Sequence, residues 1–205
     1  MNYNLEMKKQ LESIEEGSQL LLHACCAPCS SAVLEQLGNF FQITILYYNP
    51  NISNEDEYNK RLAEIKKFIT EFPTKYKIKL LEGRYLPQEF FDIAKGLEKE
   101  KERGLRCYKC YTLRLKETAQ IAQQAGYEYF TTTLSISPYK NSNWINQIGK
   151  DLEKTYNSTF IYSDFKKNNG YKRSIELSNE YNLYRQNYCG CIYSKIERDK
   201  KSRSN

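Results

Sequence analysis

Short apolar runs alternate with longer segments of helical period along most of the chain. QLLLHA (19–24) and FQITILYY (41–48) read as buried strands, and residues 30–37 between them are long enough for a crossover helix. Behind Asn54, a residue suited to capping, Tyr58, Leu62, Ile65, Ile69 and Phe72 recur at helical spacing. KIKLL (77–81) is a third strand. Pro87 opens a helix at PQEFFDIAKGL, and EKEKERG (98–104) reads as an exposed connection. Residues 107–125 form a helix that stops before Gly126. YEYFTTTLS (127–135) is a fourth strand, 144–154 a further helix and TFIYSDF (159–165) a fifth strand. No repeat or long low-complexity linker interrupts the pattern. Strands alternating with helices predict an α/β fold with a parallel sheet covered on both faces. Such sheets bind their ligands beyond the carboxyl ends of the strands. The expected organisation is one domain at 19–195, an N-terminal extension at 1–18 and a basic C-terminal tail at 196–205.

Composition narrows the class. With 40% hydrophobic and 27% charged residues, the 205-residue chain is globular, and no stretch is apolar enough to span a membrane. The first residues, MNYNLEMKKQLESIEEG, are charged throughout and lack the pattern of a signal peptide, so a cytoplasmic protein with no membrane partner is expected. Seven cysteines should then stay reduced, and an odd number argues against a closed set of disulfides. A net charge of +6 permits nucleic acid as a partner without identifying it. The 18 tyrosines could stack on bases, but many fall in strands and helices, where they pack the core.

The cysteines fall into three short groups that account for all of them: Cys25, Cys26 and Cys29 in HACCAPCSS (23–31), Cys107 and Cys110 in RCYKCY, and Cys189 and Cys191 in YCGCIY. CxxC spacing lets two sulfurs chelate one centre, and Gly190 allows the CxC backbone to bend tightly. A structural zinc site closes with four ligands and would leave three thiols over. Thiolate-rich sites also suit iron–sulfur clusters. Four thiolates hold a [4Fe-4S] cluster and leave three for a second metal; alternatively, three hold it and leave one iron open. Cys29 and Ser30 should sit at the start of the helix after the first strand, where the helix dipole favours a thiolate. ATP is not expected there. A phosphate loop needs glycines, whereas CCAPCSS has none and Pro28 lacks an N–H.

Taken together, LLLHACCAPCSS, NPNI (49–52), RCYKCYTLRL, LSISPYKN and YRQNYCGCIYS resemble the cobalamin-independent epoxyqueuosine reductases, the QueH family, over about residues 19 to 195. The resemblance implies a fold related to the nucleotide alpha-hydrolase (HUP-like) group, a [4Fe-4S] cluster, a nearby second iron and no cobalamin. It also implies an activity: the last step of queuosine synthesis, two-electron reduction of epoxyqueuosine at the wobble position of a tRNA anticodon arm, with electrons from an external donor. The chemistry is compatible with the residues, because a cluster supplies electrons singly and an adjacent iron can polarise the departing oxygen. Binding the cluster and the second iron would take all three groups to the carboxyl edge of the sheet. The expected division places Cys26, Cys107, Cys110 and Cys189 on the cluster, and Cys25, Cys29 and Cys191 on the second iron. Its ground is that neighbouring side chains of an extended chain point opposite ways.

Other residues carry weaker signals. His23, the only histidine, is a candidate proton donor or a hydrogen-bonding support for the metal site. Ser137, Tyr139 and Lys140 follow the fourth strand and should face the same mouth, Tyr139 as a proton donor and Lys140 on phosphate. Arg106, Lys109 and Arg185 are placed to offset thiolate charge or to contact substrate. Trp144 reads as core or interface, and Asp164 as a turn or cap residue. Two other functions remain compatible with the residues: a zinc-stabilised tRNA-binding module without redox chemistry, and an iron–sulfur subunit that reduces thiols or disulfides.

Overall fold

The computed structural model describes residues 1–203; the last two positions of the basic tail, 204–205, lie outside them. Strands β1 (Ser18–His23), β2 (Phe41–Tyr47), β3 (Lys79–Glu82), β4 (Tyr129–Thr132) and β5 (Thr159–Phe160) form one parallel sheet in the order β3-β2-β1-β4-β5. Eight helices flank it among the described residues: α1 (Tyr3–Ser13), α2 (Ala27–Leu37), α3 (Glu55–Glu71), α4 (Pro87–Ala94), α5 (Leu105–Ala125), α6 (Ser142–Glu153), α7 (Gly170–Glu180) and α8 (Ile192–Arg203). This is the HUP-like, Rossmann-type arrangement expected. None of these helices is long and apolar enough to cross a membrane.

Strand periodicity sorts the core into two halves. Leu20, Leu22, Ile43 and Ile45 pack with α2 and α3, while Leu21, Leu46 and Phe130 pack with α5 and α6. Successive side chains of a strand point to opposite faces, so the centres of β1 and β2 are apolar on both sides because both faces are covered. From β1 the chain winds outward to β2 and β3; from β4 it winds the other way to β5. The direction reverses between β1 and β4, and a crevice opens at their carboxyl ends.

Several boundaries differ from expectation. Helix α2 starts at Ala27, three residues early, with Cys26 as its extended N-cap and Pro28 in the first turn, where its missing N–H costs nothing. β4 ends at Thr132 because the Thr132 hydroxyl accepts the Leu134 N–H at 3.2 Å and turns the chain into a 3-10 turn, Thr133–Ile136. β5 is only two residues long. Beyond it, Gln10 takes over the edge: its side-chain amide donates to the Phe160 carbonyl and accepts the Tyr162 N–H, both at 2.9 Å. Residues 1–18 thus contain a helix, α1, that buries Met7 in the core. The basic tail continues α8, which begins at Ile192.

Candidate metal and substrate site

The chain leaves β1 at His23 and bends at Cys25. That bend removes the ground for separating neighbours: Cys25 and Cys26 do not point opposite ways, and their sulfurs lie 3.8 Å apart. With Cys29, in the first turn of α2, they form a set of sulfurs all within 4.8 Å of one another. Hydrogen bonds from Cys26 and Cys29 hold the Cys25 thiol well below its usual range. Sharing with Cys25 drives Cys26 up to about 12 and Cys29 well above normal.

The other four cysteines interact among themselves. Cys107 and Cys110 lie one turn apart on the buried face of α5, and burial raises both thiols. Cys110 packs with Cys189 and Cys191, and its thiol feels the charges of Cys189 and Cys107. The Cys189 and Cys191 sulfurs are 3.5 Å apart; the hydrogen bond between them lowers Cys189 and raises Cys191. Their turn needs Gly190. Its φ is +105°, and a Cβ there would meet Ile52 Cγ1 at 2.8 Å.

The NPNI segment after β2 joins the first and last groups. Asn49 donates to the Ala24 carbonyl at 2.9 Å, Asn51 to the Cys189 carbonyl at 3.3 Å, and the Ser53 N–H to the Gly190 carbonyl at 3.3 Å. Across the crevice, Gln186 donates its amide to Cys26 Sγ at 2.8 Å. The three groups, up to 166 residues apart in sequence, thus meet at one end of the sheet. Cys25, Cys29 and Cys189 line a cavity of about 830 Å³ there, a size that fits a small ligand or an extruded base.

Four buried or nearly buried cations surround the thiols, and three have carboxylate partners. Arg61 is paired with Glu57 at 2.6 Å, Lys140 with Glu102 at 3.2 Å and Arg106 with Glu197 at 3.3 Å. Arg114, 3% exposed, has none among the described residues; its Nε donates to the Cys110 carbonyl at 3.3 Å, and it lines the cavity. Exposed Lys101, Arg103, Arg185 and Lys201 stand at the rim.

The candidates named from sequence separate on this frame. His23 is fully buried and absent from the cavity wall. Its Nε2 lies 3.1 Å from the Tyr48 carbonyl, which can only accept, so Nε2 carries the proton. Nδ1 then accepts from the Thr132 hydroxyl at 2.8 Å. Burial, reinforced by Arg114, lowers its pKa to about 3. The ring ties β1 to β4 and to the carbonyl just past β2, a placement compatible with the supporting role considered for it from sequence. Arg106 is buried outside the cavity wall: its guanidinium donates to the carbonyls of Leu97, Glu98 and Glu100 and braces the 97–104 connection, whose Lys101, Glu102 and Arg103 do line the cavity. Lys109 is exposed and also outside the cavity.

Ser137, Tyr139, Lys140 and Arg185 do line the cavity. Tyr139 is 59% exposed, under the Arg103 guanidinium, and its N–H donates to Ser137 Oγ at 3.2 Å. Burial opposes the charge on Lys140, but Cys189, Tyr111, Glu102 and Cys107 outweigh it and hold the ammonium well above its usual pKa. This lysine faces thiols rather than open solvent. Arg185 donates to the Ser174 carbonyl and Ser178 Oγ. Trp144 packs edge-on against Tyr108, and Asp164 pairs with Lys166. Sequence reasoning missed Arg61, Arg114 and Gln186. Only Arg114 left a usable signal, a charged residue one turn beyond Cys110 on the buried, largely apolar face of α5.

Comparison with known proteins identifies a family. The family model described as "Epoxyqueuosine reductase QueH" matches residues 20–197. A protein of that name from Streptococcus pyogenes serotype M1 is 44% identical over 95% of this chain and 78% of its own length. One from Staphylococcus epidermidis is 42% identical, over 96% and 86%. One from Thermotoga maritima is 36% identical, over 89% and 93%. On this evidence the chain belongs to the epoxyqueuosine reductase QueH family.

Proposed function

We propose that the protein reduces epoxyqueuosine in tRNA to queuosine, the last step in making that modified base. Two electrons and two protons enter, both carbon–oxygen bonds of the epoxide break, a carbon–carbon double bond forms, and the oxygen leaves as water. The observation that carries the reading is the meeting of the three thiol groups at one end of the sheet, with Cys25, Cys29 and Cys189 on the wall of one cavity and Cys110 packed against Cys189, in a chain of this family.

The donor set fits two metal centres. Cys107, Cys110, Cys189 and Cys191 offer the four thiolates of a [4Fe-4S] cluster, and Cys25, Cys26 and Cys29 offer a three-sulfur site for a second iron with a position left open. This division replaces the one expected from sequence, whose ground the bend at Cys25 removes. When bound, the cluster supplies single electrons and the iron a Lewis acid. Ligation requires every thiol to lose its proton, and the Arg114 and Lys140 charges favour that.

The chain's own groups do the rest. The cavity lies beyond the strand ends, so the modified base must leave its stack to enter. Exposed Lys101, Arg103, Arg185 and Lys201 hold anticodon-arm phosphates, and Ser137 orients the base. Tyr139, the exposed hydroxyl at the mouth, supplies a proton to the departing oxygen. The electron donor is an external reductant, and the reaction needs neither cobalamin nor ATP.

The test is conversion of epoxyqueuosine-containing tRNA by anaerobically reconstituted protein with a chemical reductant and no cobalamin, followed by nucleoside mass spectrometry. Queuosine formation supports the reading. A fully metallated protein that leaves the epoxide untouched refutes it. Stoichiometric zinc without sulfide would favour a tRNA-binding module, and disulfide turnover without RNA binding a thiol-reducing subunit.

A further inference from the structure

We propose that Arg114 is the built-in counter-ion of the metal–thiolate centre and raises its reduction potential. The inference rests on the reading of the cysteines as ligands of an iron–sulfur cluster.

The argument is one of charge pairing. A guanidinium removed from water is strongly unfavourable unless an anion and hydrogen bonds replace its hydration. Arg61, Lys140 and Arg106 each have a carboxylate for this purpose, from Glu57, Glu102 and Glu197. Arg114 is as deeply placed as they are, yet among the described residues it pairs with no carboxylate. What surrounds it instead is sulfur. Cys110 lies one helical turn before it and Cys107 two turns before, on the same face of α5. Its Nε is fixed by the Cys110 carbonyl, and it lines the cavity together with Cys25, Cys29 and Cys189. The charges that act on it most come from Cys110, Cys25 and Cys189, one cysteine from each group. Arg114 is thus, among the described residues, a buried permanent cation whose natural partner is the negative charge created when the thiols bind metal. Adding an electron makes the centre more negative, so a fixed cation beside it favours the reduced form.

Arg114→Met removes the charge at similar length, and Arg114→Lys keeps the charge but loses the planar fork. Iron and acid-labile sulfide are counted after anaerobic reconstitution, folding is followed by circular dichroism, and the midpoint potential by a redox titration read by electron paramagnetic resonance. The expected result is a loaded Met variant with a more negative potential, and a Lys variant close to the unaltered protein. A Met variant that folds but does not load, beside a Lys variant that does, also supports the role. A Met variant that loads with an unmoved potential overturns it. So does failure of both variants to fold or load, because that assigns Arg114 to the Cys110 carbonyl rather than to charge. An unaltered protein without iron and sulfide would refute the cluster reading itself, whereas an unmoved potential in a loaded variant refutes only the part given to Arg114.

Discussion

Gln186 gives its side-chain amide to the sulfur of Cys26 across 2.8 Å, linking segments 160 residues apart. The contact fixes the sulfur's direction before any metal arrives. Partners of this kind matter to ligands nearly as much as the ligands themselves, and their loss typically costs about 10- to 100-fold in metal affinity. Gln186→Leu should therefore weaken iron retention by about that factor with little change in melting temperature. Titration against a chelator measures it; unchanged retention would assign the contact to packing alone.

Gly190 sits between two thiols in a conformation with φ of +105°. Gly190→Ala adds backbone strain of about 1–3 kcal/mol and drives a methyl group into Ile52. The lower melting temperature should be accompanied by loss of the metal centre, because Cys189 and Cys191 flank the strained bond. Thermal denaturation and iron counts on one preparation test both parts.

The two proton-donor candidates should behave differently. Tyr139→Phe is expected to slow reduction by about 10²- to 10⁴-fold, the usual worth of a positioned acid, with tRNA affinity nearly unchanged. His23→Ala leaves the Tyr48 carbonyl and the Thr132 hydroxyl without their partner and should cost about 1–3 kcal/mol for each buried group left unpaired. A Tyr139→Phe enzyme at full rate would remove the tyrosine from the reaction.

Binding of tRNA should fall steeply with salt. If the four exposed rim cations each neutralise one phosphate, log affinity falls with log salt at a slope near −3, taking about 0.7 per phosphate on single strands. Lys201→Ala should make the slope shallower by about 0.7. Arg106→Ala should leave it unaltered, since that guanidinium is committed to the 97–104 carbonyls.

How much of this was legible in the chain depended on what each residue's role required. β1, β2 and α3 could be read because their apolar periods are complete. α7 could not: it packs on α2, and of its buried residues, Gly170, Ser174, Leu177 and Ser178, only Leu177 is a large apolar one. α8 is mostly polar, with only Ile192, Tyr193 and Ile196 to suggest a face. Within the site, the cysteines announced themselves by spacing. Cations did not, because a lysine or arginine looks the same at a rim and in an interior. Lys140 and Arg106, expected to meet substrate or offset thiolate charge, are nearly buried and paired with Glu102 and Glu197, while Arg114 and Arg61 acquire their places only when distant segments meet.

The clasp of Gln10 on β5 bears on how copies of this protein can associate. An open sheet edge is a template on which another chain can grow a further strand. Here one amide already occupies the Phe160 carbonyl and the Tyr162 N–H, the groups such a strand would use. Growth of the sheet from one molecule into the next is blocked at that border by a single side chain, and Gln10→Ala should expose it to edge-to-edge self-assembly.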